Sequence, residues 1–350
     1  MMTTYDKLFF LFCYLSLVLF VLLSACKLRL YSNLNIQKNC SFFGDSFVGT
    51  GNTRKNEFSS WKDPYGITFP EKPAGRISDG QVLTDYVAKY LGLSTPPPYQ
   101  FRKVMPQLLK DGLNFAYGGA GVFHTAASYP NMTVQINFFE ELIDEKVYTL
   151  SDLNNSMALV NVGGNDYRFF LDTNGSAKDF PSFIASLVNQ TITNLICIQK
   201  LGVNKIVVDG IHPVGCIPLF TATTSYQHSH CNSTFNNLAL LHNLMLNQSV
   251  AKLNQEAKDH TTFVILNLYD SFFSVLNNTS NGNTVNLLKP CCVGVSSQYS
   301  CGSVDNNVKK YVVCENPKSA LFWDLFHPMQ AGWDAVFNKL IKDGLHQLKY

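Results

Sequence analysis

A serine set between an acid and an aromatic residue, Ser46 in SFFGDSFVGTGN (residues 41–52), is the first residue of this chain whose type and setting suit chemistry. A hydroxyl at the mouth of an apolar strand can act as a nucleophile, and its chemistry would be acyl transfer. The plainer reading is that Asp45 and Ser46 cap a following helix and Gly44 permits the tight turn before it. A serine nucleophile also needs a general base, and the base needs an orienting carboxylate. Near the other end of the chain, ALFWDLFHPMQAGW sets Asp324 three residues before His327, so that one turn carries both on the same side. Asp324 can then reach the ring nitrogen remote from Ser46, although Asp-x-x-His also arises as a capped turn with an incidental histidine. Pro328 is read as the start of the last helix. A developing oxyanion needs donors. The backbone N–H groups of Ser46 and of Gly118 or Gly119, in GGAG (118–121), can supply two, because glycine lets a substrate oxygen approach the main chain. The side-chain amide of Asn165, in GGND (163–166), can supply a third. Asp45 reads as structural, holding the turn through its side-chain acceptor.

Those residues must be carried by elements. Short apolar runs predict buried parallel strands at SFF (41–43), LNFAY (113–117), MALVNV (157–162), KIVVDG (205–210) and TFVILNL (262–268). Between them lie helical patterns: Ile184, Leu187, Val188, Thr191, Ile192, Leu195 and Ile198, stopped by Gly202; Leu238, Leu241, Met245 and Leu253; and Val336, Phe337, Leu340, Ile341, Leu345 and Leu348. Strand–helix alternation of this kind predicts a three-layer α/β/α sandwich with a mostly parallel sheet. Such sheets bind ligands outside the carboxyl ends of their strands. Gly-Asp-Ser, GGAG and GGND each follow one of the first three strands, which is more than turn chemistry alone requires. STPPPYQ (94–100) reads as a stiff surface turn.

The bulk numbers set the compartment and exclude some partners. With 350 residues, 46% hydrophobic and 15% charged, the chain can bury a sizeable core. A formal net charge of +2 without a dense Lys/Arg run argues against nucleic acid. Residues 1–26 have the layout of a secretory signal peptide: Lys7, an apolar run from Leu8 to Leu23, then Ser24, Ala25 and Cys26. An uncleaved anchor is the alternative, since the run falls just short of a membrane span. Glycan-acceptor sequons stand at Asn131, Asn154, Asn174, Asn189, Asn232, Asn247, Asn277 and Asn278, with a weaker one at Asn39 beside the first strand. Six cysteines, Cys216, Cys231, Cys291, Cys292, Cys301 and Cys314, lie in loop-like sequence and read as disulfide staples. A zinc site is disfavoured because PCCVGVSSQYSC lacks paired C-x-x-C spacing. Cys197, on a helical pattern, reads as a buried thiol. His212, His228, His230 and His242 lack metal-ligand spacing, and Trp61, Tyr65, Phe69 and Tyr86 read as packing rather than as an acyl groove.

Four ordered blocks, FFGDSF, LNFAYGGAG, VGGNDY and FWDLFHP, resemble those of the plant GDSL esterase/lipase (SGNH hydrolase) family. HPVGCIP, the segment DPYGITFPEKPAGRISDGQVLTDYVAKYLGL and the late cysteine pattern are similar to the same branch. The resemblance covers about residues 40–345, as one domain. It implies a flavodoxin-like fold, with Ser46 as nucleophile, His327 as base, Asp324 as its orienter, and Gly118 or Gly119 with Asn165 completing the oxyanion hole. Phe47 departs from the leucine of the family name. The expected activity is a secreted carboxylic ester hydrolase working through an acyl-enzyme, with no metal or organic cofactor. Its substrate would be a lipid or an acylated cell-wall component; no nucleic acid and no obligate protein partner are implied. The alternatives are an acyltransferase and a non-catalytic extracellular binding glycoprotein.

Overall fold

The computed structural model describes residues 39–57, 59–222, 230–257, 262–277, 286–317, 320–342 and 345–348. The expected signal segment, His228 and Asn278 lie outside the described residues. Four strands, β1 (Asn39–Gly44), β2 (Ser156–Asn161), β3 (Lys205–Asp209) and β4 (Thr262–Leu266), form one sheet in that order. Every pairing is parallel, and the register aligns the strand ends: Gly44 lies opposite Asn161, and Asp209 opposite Leu266. Consecutive apolar residues covered on both sides explain why these strands read as continuous apolar stretches rather than as alternating ones.

Side chains alternate between two cores, as the period of two requires. Phe43, Ala158, Val160, Ile206, Val208 and Phe263 face one core, filled by α2 (Met132–Asp144), α4 (Phe180–Lys200) and α5 (Ser233–Glu256). Phe42, Met157, Leu159, Val207, Val264 and Leu266 face the other, filled by α1 (Leu83–Leu91), α6 (Leu268–Asn277) and α7 (Gln330–Lys342). The remaining long helix, α3 (Gly164–Asp172), begins three residues after β2 ends. The result is the expected α/β/α sandwich.

Several local expectations are corrected. The run Leu113–Tyr117 bonds along the free edge of β1, through Phe42 N–H to Leu113 O, Phe115 N–H to Phe42 O and Tyr117 N–H to Gly44 O. It makes only an isolated bridge rather than a full strand. The Asn114 side chain accepts the N–H of Ala116 at 3.0 Å, on the side turned away from β1. The triple proline is not a surface turn: Pro96 and Pro97 are buried, and Pro97 O accepts the N–H of Asn114. The buried face of α5 is Asn236, Ala239, His242, Leu246 and Val250, with Leu238, Leu241, Met245 and Leu253 flanking it. Polar members were invisible to an apolar stripe. They are satisfied inside: Asn236 Oδ1 accepts the N–H of Gly215, and His242 Nδ1 shares a hydrogen bond with the Tyr167 hydroxyl at 2.8 Å. Ile341 is exposed, and α7 starts at Gln330 rather than at Pro328.

The six loop cysteines pair as Cys216–Cys231, Cys291–Cys314 and Cys292–Cys301. The last two staple a small satellite core in which Tyr65, Ile77, Trp323 and Met329 pack beside the sulfurs. Cys40 is buried and unpaired, whereas Cys197 is exposed and not the buried thiol expected, because it falls on the outer side of α4. Among the sequons, Asn154, Asn174, Asn189, Asn247 and Asn277 are exposed; Asn131 and Asn232 are half-buried helix caps. Asn39 is buried within β1, and its amide donates to Asp152 O.

Candidate active site

Gly44 ends β1 at φ +139°, where a Cβ would sit 1.9 Å from Asn161 O. Only glycine allows β1 to turn this close to β2. The turn is held from both sides: the Gln135 side chain accepts from Gly44 N–H at 2.7 Å and donates to Gly44 O at 2.9 Å. Asp45 Oδ1 then accepts the N–H of Phe47 at 3.0 Å. Ser46 is thereby presented at the carboxyl end of β1, next to the point where the chain has gone out to the edge run at 113–117 and returned to β2. That crevice is the expected binding position for this topology.

The imidazole of His327 meets Ser46 there, with Nε2 2.8 Å from Oγ. On its other side, Nδ1 lies 2.8 Å from Asp324 Oδ1 and 3.0 Å from Oδ2. The same Oδ1 accepts the backbone N–H groups of Phe326 and His327, each at 2.9 Å, so the carboxylate ties its own turn. Burial alone would raise Asp324, but the neighbouring His327 and these hydrogen bonds hold it below the usual carboxylate range. Residues 281 apart in the chain are thus joined through one ring.

The candidate donors are less equal. Gly119, at φ +84°, lines the cleft beside Ser46, whereas Gly118 is buried and not part of the lining. Asn165 lines it too, and its amide donates to Ala120 O at 2.9 Å and, more weakly, to Asp45 Oδ2 at 3.3 Å. Burial pushes the Asp45 carboxyl up to about 7, against the pull of the Phe47 N–H and of His327. The cleft opens into a cavity of about 350 Å³, walled mostly by apolar side chains such as Phe47, Leu171, Phe180, Phe220 and Phe235.

Two residues support the site in roles that were not read from the sequence. Asp166 accepts the N–H groups of Val122 and Phe123, each at 2.9 Å, pinning the GGAG loop to α3; burial lifts it to about 6. Tyr65 donates its hydroxyl to Asp324 Oδ2 at 2.9 Å. The His212 ring packs on Phe47 at 4.8 Å, and burial lowers it to about 4. Of the four aromatics read as packing, Trp61 donates to Thr53 O, Tyr86 donates to Gln330 O, and Phe69 is 38% exposed. None of the four lines the cavity.

Comparison with known proteins shows the family. Residues 41–340 match the family described as GDSL-like lipase/acylhydrolase. The chain is 51% identical over 305 residues to GDSL esterase/lipase At5g03610 of Arabidopsis thaliana, covering 85% of this chain and 84% of that protein. It is 47% identical over 322 residues to GDSL esterase/lipase At3g09930 of the same plant, covering 89% and 90%. A catalytic mutant of the acetylxylan esterase Axe2 from Geobacillus stearothermophilus superposes at a TM-score of 0.40 with 14% identity, over 87% of this chain and 94% of that one. The family match across nearly the whole described chain, with relatives about half identical, is decisive: this chain belongs to the GDSL-like lipase/acylhydrolase family.

Proposed function

We propose that the chain is an exported esterase that hydrolyses carboxylic esters through an acyl-enzyme on Ser46. Membership of its family makes it a carboxylic ester hydrolase; the residues, the route and the acyl group are our reading. The observation that carries the reading is the unbroken line from Ser46 Oγ through His327 to Asp324, with both contacts at 2.8 Å. Ser46 Oγ attacks the ester carbonyl as His327 Nε2 takes its proton. The tetrahedral intermediate collapses as the same nitrogen protonates the leaving alcohol. Water, deprotonated by His327, then attacks the acyl-enzyme and regenerates Ser46. Backbone N–H groups of Ser46 and Gly119 and the amide of Asn165 receive the oxyanion, which displaces the long Asn165–Asp45 contact. Export is supported by the three disulfides, which persist in oxidising compartments.

The cavity argues for an acyl group larger than acetyl. A volume of about 350 Å³ walled by phenylalanines is poorly filled by two carbons. Each further methylene buried there contributes about 0.8 kcal/mol, or about fourfold in kcat/KM. The test is a fluorophosphonate probe with peptide mapping, followed by p-nitrophenyl esters from acetate to octanoate. Labelling at Ser46 and a rising series are expected. A probe that labels elsewhere overturns the nucleophile; a series that is flat or falls overturns the acyl chamber.

A further inference from the structure

Asp324 is gripped from a quarter that the Ser–His–Asp chemistry does not require. Its Oδ1 already takes two backbone N–H groups and the imidazole, and Oδ2 faces Tyr65, which is 259 residues earlier and 3% exposed. The Tyr65 oxygen is in turn bonded by the Ser59 side chain. Burial and the adjacent Asp324 charge push the phenol well above its ordinary range, so it stays a donor. The Tyr65 ring meets Trp323, the residue before Asp324, edge-on at 5.9 Å. Trp323 O accepts the N–H of Cys292, and Phe322 O that of Cys291. The segment leading into Asp324 is therefore stitched to the two disulfides of the satellite core, against which Tyr65 packs while its hydroxyl reaches the carboxylate.

Resting on the Ser46–His327–Asp324 reading, we propose that Tyr65 is a positioning residue for the Asp324–His327 pair. Its hydroxyl fixes the rotation of the carboxylate so that Oδ1 is aimed at His327 Nδ1. A buried carboxylate oxygen without a donor is costly. Without the hydroxyl, Oδ2 keeps only the 3.0 Å contact to His327 Nδ1, and the group turns to share that proton between its oxygens. The ring then follows, and Nε2 leaves its line to Ser46.

The experiment compares the wild type with Tyr65→Phe, measuring kcat and KM on a p-nitrophenyl ester, thermal unfolding, and the downfield proton resonance of the His327 Nδ1–H. A hydrogen bond to a charged group is the interaction lost, so kcat should fall about tenfold with KM unchanged, and the resonance should move. If kcat and the resonance stay put, or only the unfolding temperature falls, the inference is overturned. Should Tyr65→Phe fail to fold, 3-fluorotyrosine at position 65 keeps the ring and makes the phenol a stronger donor. The resonance must then shift, and an unmoved resonance overturns the inference. Failure of the underlying reading is separable, because it shows as absence of fluorophosphonate labelling of Ser46 in the wild type.

Discussion

Asn165 illustrates how a residue's partners decide what it can do. Its amide has two protons, and both are engaged, the shorter bond going to Ala120 O and the longer one to Asp45. A charged oxygen arriving from the substrate competes only with the weaker contact, so orientation is already set by the stronger one. Asn165→Ala should therefore lower kcat by about 10²–10³ with little change in KM, as measured by steady-state hydrolysis. An equal rise in KM at constant kcat would mean that Asn165 binds ground state and transition state alike.

Strand ends and loops, rather than strand interiors, carry the function, and Gly44 is the clearest case. Alanine there meets both a positive φ and the Asn161 carbonyl, so Gly44→Ala should cost about 3 kcal/mol or more in urea unfolding and remove activity with it. An unshifted urea midpoint would show that β1 can end differently. The five apolar runs were readable because strands covered on both sides leave unmixed stretches of Val, Ile, Leu and Phe. The edge run was over-read because it pairs with β1 over a few residues only and forms isolated bridges, which an apolar pattern does not register. The same blindness misplaced the face of α5, where Asn236 and His242 are buried in hydrogen bonds. Ser46, Asn165, Asp324 and His327 drew notice through three short blocks, each marked by glycine or proline, and the structure brings them to one cleft. Tyr65 and Asp166 were not read as supports, since an ordinary Tyr or Asp becomes one only when distant backbone closes on it.

Across the whole fold, buried acids and imidazoles set opposing pH dependences. Burial raises Asp45 to about 7, Asp166 to about 6 and Asp209 to about 8, and lowers His212 and His242 to about 4. Unfolded, these acids titrate near 3.9 and these imidazoles near 6.5, to within about a unit. From about pH 4 to 6.5 the two effects largely cancel, because folding takes up protons at the acids while the unfolded chain holds them at the imidazoles. Above about 6.5 Asp45 and Asp209 still bind more protons folded than unfolded, so stability should fall as pH rises to 8. The slope is at most about 1.4 kcal/mol per pH unit for each proton. Asp324, held low, is ionised in both states there and adds nothing. Urea midpoints at pH 6.5 and 8 measure the decline, which Asp209→Asn should flatten; a midpoint that rises would contradict the assignment. One consequence follows from the 281-residue span between Ser46 and His327. On the proposed mechanism the reacting hydroxyl is made 281 residues before its proton acceptor, so a chain interrupted between the two is inert. On that reading hydrolysis starts only after both segments have been made and folded against one another.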